Sequence, residues 1–79
     1  LDVDERIAEV VSHFSNQGVL GFHDLRTRRS GSQKFIDLHL EVERDMSLQD
    51  AHDATVRVLR AIEAEIPRAR VHIHTDPAG

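Results

Sequence analysis

The chain has 79 residues, with 10 Lys and Arg against 14 Asp and Glu for a formal net charge of −4, 39% hydrophobic and 30% charged residues, and no cysteine. That length allows one small domain with a thin core, and the composition is that of a globular chain rather than a disordered one. The lack of cysteine excludes disulfides, thiolate metal sites and thiol redox chemistry, the acidic balance argues against nucleic acid as a partner, and the apolar runs are too short to span a membrane.

Ile7, Val10, Val11 and Phe14 recur at helical spacing and predict a helix over residues 4–15, closed by Asn16-Gln17-Gly18 with Gly18 as its C-terminal cap. Val19 to Arg28 reads as a strand of imperfect alternation, and Ser30-Gly31-Ser32 as a turn. The next strand is clearer. Ile36, Leu38, Leu40 and Val42 point one way, while Phe35, Asp37, His39 and Glu41 point the other.

Ser47 as N-cap, with Asp50 three residues on, opens a second helix. Its expected buried stripe is Leu48, Ala51, Thr55, Val58, Leu59, Ile62 and Ile66, and Pro67 ends it. Ala69 to Thr75 alternates again, with Val71 and Ile73 inward and His72 and His74 outward, before Asp76-Pro77 stops the strand.

The order is therefore αββαβ, an α+β fold with a three-stranded mixed sheet and two helices on one face. The first two strands form a hairpin. A right-handed crossover through the second helix makes the second and third strands parallel.

Strand direction then gathers histidines that are scattered in sequence. His23 near the start of the first strand, His39 late in the second, and His74 and Asp76 at the end of the third all reach one rim of the sheet. His52, in the early turns of the second helix, is expected at the same rim. Counting from Gly31, His23 and His39 are cross-strand neighbours. The same register sets Leu25 opposite Asp37 on the polar face, a conflict that a bulge or a one-residue slip near His23 would repair.

Imidazole and carboxylate without thiolate make a ligand set for Zn²⁺, and also for Mn²⁺, Fe²⁺, Co²⁺ or Ni²⁺. Five ligands exceed one tetrahedral ion, which suggests a two-metal site bridged by Asp76, with Asp37, Glu41 and Glu43 as acceptors for imidazole N–H groups. His13 and His72 read as surface side chains, and Arg26, Arg28, Arg29 and Lys34 as a solvated hairpin tip.

The runs Gly21-Phe22-His23-Asp24-Leu25-Arg26-Thr27-Arg28, Phe35-Ile36-Asp37-Leu38-His39-Leu40-Glu41, Ala51-His52 and His72-Ile73-His74-Thr75-Asp76-Pro77 together resemble the C-terminal cytoplasmic domain of cation diffusion facilitator transporters of the zinc and iron efflux type. The resemblance covers nearly the whole chain. It implies a metallochaperone-like, open ferredoxin-like fold and a homodimer attached to the transmembrane domain of the same polypeptide, at the cytoplasmic face of a membrane. It also implies a pair of bound zinc ions, with the family's ligands falling on His23, His39, His52, His74 and Asp76; Cd²⁺ joins the candidate ions.

A chain that opens on Leu1 is expected to be one domain, residues 1–79, excised from such a transporter. The leading expectation is a regulatory module whose metal occupancy stabilises the cytoplasmic dimer and modulates transport. The alternatives are a metal-independent oligomerisation domain and a small two-metal hydrolase. The chain is short for a deep substrate pocket and offers no convincing general base or oxyanion donors, so an enzyme is not expected.

Overall fold

A computed structural model describes residues 2–78. Helix α1 spans Val3–Ser12, a 3₁₀ turn Ser15–Gln17, strand β1 Val19–Ser30, β2 Gln33–Val42, helix α2 Leu48–Glu65 and β3 Ala69–Pro77. The sheet order is β1-β2-β3, with β2 central, antiparallel to β1 and parallel to β3. The expected αββαβ order and mixed three-stranded sheet are therefore present. Among the described residues, no helix is long and apolar enough to cross a membrane.

Helix α1 begins where the Asp2 carboxylate accepts the Glu5 N–H at 2.8 Å, and it buries Ile7 and Val11. It stops sooner than its apolar spacing predicts. His13 and Phe14 donate to Val10 and Val11, three residues back, so the last turn tightens instead of continuing. Gly18 closes the 3₁₀ turn rather than α1, in the left-handed region at φ 86°. A Cβ there would stand 2.5 Å from the Met46 sulfur. Gly18→Ala is thus expected to lower stability by about 1–2 kcal/mol from the backbone alone, read as a shifted urea midpoint. Truncating Met46 in the same chain should relieve only the clash and leave that backbone cost.

The β1–β2 hairpin turns at Gly31-Ser32, between the paired residues Ser30 and Gln33. Its register holds as far as Arg26↔Asp37, then shifts by one residue so that His23 faces His39. Asp24, at φ 54°, lies in this irregularity; the left-handed conformation is one that aspartate tolerates better than most residues. The turn centre lies half a residue beyond Gly31, and the bulge offsets that displacement. His23 and His39 meet as counted from Gly31, while Leu25 is released from the polar face and packs against the core.

Strand β2 supplies the middle of that core. Ile36, Leu38, Leu40 and Val42 are buried beneath Ile7 and Val11 of α1 and Ala54, Val58 and Ile62 of α2. Ser47 Oγ accepts the Asp50 N–H at 3.0 Å, the expected cap of α2. Leu48 departs from the expected stripe: it is 89% exposed, because the first helical residue overhangs the end of the sheet, and Ala54 is buried instead. Thr55 Oγ1 donates to the Ala51 carbonyl and lies 2.8 Å from Thr75 Oγ1, which ties α2 to β3.

Strand β3 runs through Asp76-Pro77 rather than stopping there. Pro77 pairs with Val42 on an edge strand, where its missing N–H costs no ladder bond, and Ala78 N–H resumes the pairing with Val42 O at 2.8 Å.

Candidate metal centre

Both helices pack on the face carrying Leu38 and Leu40, so among the described residues no element covers the other face of the sheet. Period-two alternation places the polar side chains there, and register sorts them into rows running across the three strands. The middle row is His23, His39 and His74. The row on one side is Gly21, Glu41 and Asp76; on the other it is Arg26, Asp37 and His72. A band of three imidazoles is thus bordered by the carboxylates of Glu41 and Asp76 on one side and of Asp37 on the other.

The side chains resolve into two groups. In the first, Asp76 Oδ2 lies 2.9 Å from His39 Nδ1 and 3.6 Å from His23 Nε2. In the second, Asp37 Oδ1 lies 3.2 Å from His72 Nδ1 and 3.5 Å from His74 Nε2. In each group, one ligand atom from every member falls within 4.8 Å of the others. The His23 and His74 rings stack on opposite sides of the His39 ring, at centroid distances of 5.2 and 4.8 Å. His72 meets His74 edge to face at 4.6 Å.

Metal–nitrogen bonds of about 2.0–2.1 Å and metal–oxygen bonds of about 2.0–2.2 Å give ligand–ligand edges of roughly 3.3–3.5 Å around a tetrahedral ion. The carboxylate–imidazole separations bracket that value, so the donor set and its spacing fit a borderline divalent cation. Among the described residues, the only nitrogen partners of Asp76 and Asp37 within ion-pair reach are imidazoles; no lysine or arginine neutralises either carboxylate there. The side chains are half exposed and an ion can reach them without unfolding.

His23, His39 and Asp76 are therefore brought together as strand direction predicts. His74 lies in the same row, but its Nε2 faces Asp37 rather than Asp76. His52 belongs to neither group. It opens on a cleft shared with Glu43, Met46, Leu48, Thr75 and Pro77, on the helix side of the sheet. Strand direction decides which end of a sheet a residue reaches, whereas the face is decided by where its element packs, and α2 packs opposite the histidine row. Asp37 accepts from an imidazole N–H or faces its lone pair, as expected of an outer acceptor, but its neighbour is His72, which the rim argument had set aside. Cross-strand rows one step further from the rim would have paired them: both are outward, and both follow from the β2 and β3 alternation. His13 is exposed at the end of α1 and joins no group.

An αββαβ scaffold with histidines and carboxylates on its open sheet face defines a small metallochaperone-like domain. Residues 2–78 match the family described as cation efflux protein, cytoplasmic domain, and the chain belongs to that family. It is 46% identical over 76 residues to the cation-efflux pump FieF of Yersinia pestis (strain Pestoides F) and equally to that of Yersinia pseudotuberculosis serotype O:3 (strain YPIII). The alignment covers 96% of this chain and 25% of either pump, so the chain spans a quarter of their length.

Among solved structures, the metal-bound C-terminal domain of the CzcD transporter from Thermotoga maritima superposes with a TM-score of 0.86 at 34% identity, covering 96% of this chain and 87% of that one. A nickel form of a MamM C-terminal domain variant superposes at 0.85 with 26% identity, covering 98% and 96%. These are domains of cation efflux proteins rather than enzymes, which sets the hydrolase alternative aside.

Proposed function

We propose that this chain is the metal-binding, dimerising regulatory domain of a divalent-cation efflux transporter, residues 1–79 of a longer polypeptide whose remainder spans the membrane. The observation that carries this reading is the convergence of His23 Nε2 and His39 Nδ1 on a single Asp76 oxygen with no competing lysine or arginine. The metal-bound state of the CzcD domain and the nickel state of the MamM domain support it. Zn²⁺ is the ion proposed, since two imidazoles and a carboxylate in near-tetrahedral spacing suit it, with Fe²⁺, Mn²⁺, Co²⁺, Ni²⁺ and Cd²⁺ as competitors.

Regulation follows from charge and shape. Two copies of a chain of net charge −4 repel, and the uncovered sheet face concentrates carboxylates. Bound cations remove that repulsion and favour one packing of the pair, which biases the attached membrane domain through its different metal affinity in two states. His74 and His52 complete the proposed ligand set. His52 stands apart from the other four within one copy, on the helix side of the sheet.

Calorimetric titration with Zn²⁺ tests the assignment. The native chain should bind, and the His39→Ala/Asp76→Ala double variant should lose the tightest step. Unchanged affinity in that variant would remove the assignment. A dimer that sediments identically with and without chelator would favour the metal-independent assembly.

A further inference from the structure

The hairpin end of the sheet, opposite the histidine rim, carries a cluster of cations. Arg26, Arg28, Arg29, Lys34, Arg68 and Arg70 are six of the chain's ten Lys and Arg, and residues 26–34 and 68–70 contain no Asp or Glu. We propose that this tip docks on the anionic phospholipid headgroups of the membrane that holds the rest of the transporter, an inference that rests on the proposed function.

Register spreads the cluster over both faces of the sheet. Arg28, Phe35 and Arg70 form one row across the open face, with Arg26 in the next row. Phe35 is 37% exposed and stands between the two arginines, and the three share a shallow cleft. Such a row offers charge to headgroups and an apolar ring to the boundary with the acyl chains. Arg29 and Lys34 stand directly opposite each other in the pairing of β1 with β2, a like-charge pair that costs stability. Arg68 holds φ 62°, a conformation glycine adopts freely, and donates to Ser32 Oγ at 2.7 Å, which fixes it beside the turn. Both placements weaken the fold, and both keep a cation at the tip.

Among the described residues, none of the six forms an ion pair. The acids nearest them are engaged elsewhere. Asp2 caps α1, with Asp4 and Glu5 in its first turn; Glu65 pairs with Arg6, Glu63 accepts the Val71 N–H, and Asp37 faces His72 and His74.

The tip is also the end from which the chain enters the domain. Val3 lines a cleft with Arg28, Arg29 and Lys34, so α1 starts there. The similar CzcD and MamM structures are C-terminal domains, and on the proposed function the membrane-spanning part leads into α1. The molecule is 40 Å long and 19 Å across, and the 12 residues of β1 span that length at about 3.3 Å each. Along β2, Glu41 at the acidic rim is roughly 20 Å from Phe35. That exceeds two Debye lengths of about 8 Å at physiological salt. The membrane therefore meets a basic surface although the net charge is −4, and the acidic rim points away from it. Attachment holds the tip at a high local concentration of headgroups, which no freely diffusing polyanion shares.

Cosedimentation of the whole chain with vesicles tests the surface, using phosphatidylcholine alone and equal parts of phosphatidylcholine and phosphatidylserine. The native chain should bind the mixed vesicles and not the neutral ones, and more weakly as salt rises. Arg28→Gln/Arg70→Gln should bind about 30-fold more weakly, at roughly fivefold per basic residue. Arg44→Gln/Arg57→Gln removes the same charge at the rim end and should bind as the native chain does. All four side chains are exposed, so folding should survive. Equal losses in the two variants would overturn the surface, because net charge alone would then govern binding. Mixed vesicles left unbound by the native chain would overturn it too. Titration of the native chain with Zn²⁺ separates this from the proposed function. Zinc uptake without vesicle binding ends the lipid surface and leaves the metal-binding domain; vesicle binding without zinc uptake does the reverse.

Discussion

Free Zn²⁺ at about 100 times its dissociation constant is expected to stabilise the native chain by about 2.7 kcal/mol per site. For a domain of this size, that is a rise in the thermal unfolding midpoint of roughly 11–22 °C. The reason is topological. His23 lies on β1, His39 on β2 and Asp76 on β3, so one ion at the first group links all three strands. Among the described residues, neither β1 nor β3 has a second neighbour in the sheet, and each is held laterally by β2 alone. The unfolded chain has no preformed arrangement of these distant residues, so binding energy becomes folding energy. Scanning calorimetry with Zn²⁺ and then with excess chelator measures the shift, and the His39→Ala/Asp76→Ala variant should show little of it. A midpoint that does not move at saturating Zn²⁺ would mean that the ion does not bridge the strands.

The parts of this fold that are legible from residues alone are those governed by local rules. Ile36 to Val42 alternates without interruption because one face of a central strand is buried and the other open, and Ser47 with Asp50 announces a helix start through one hydrogen bond. Strand direction placed His23, His39 and Asp76 together for the same reason: parallel and antiparallel pairing follow from connection length.

What was not legible depends on tertiary context. The irregularity at Asp24 leaves no composition signal, only the conflict between Leu25 and Asp37 that it resolves. Leu48 fits the helical stripe, but no sheet lies beneath it. Pro77 ends strands in general, yet it is accommodated on an edge. The position of His52 required knowing which face α2 covers, and the Asp37–His72 contact required following register a row further from the rim.

Leu38→Ala is expected to cost about 2–5 kcal/mol, a large share of the roughly 4–12 kcal/mol that a chain of this length holds in total. Leu38 is fully buried, and it stands on β2 between Asp37 and His39, whose side chains leave the opposite face. Truncating it opens a cavity under both ligand groups without touching a ligand. The urea midpoint of metal-free protein should fall steeply, while zinc affinity should drop only by the fraction of chain no longer folded. His39→Ala, one position away, should do the reverse. Its half-exposed ring contributes less than about 1 kcal/mol to metal-free stability, but its loss removes a ligand. If metal-free His39→Ala unfolded as readily as Leu38→Ala, the imidazole row would be holding the sheet together rather than waiting for an ion. Two adjacent residues of one strand thus separate folding from binding, because alternation gives the core one side of β2 and the imidazole row the other.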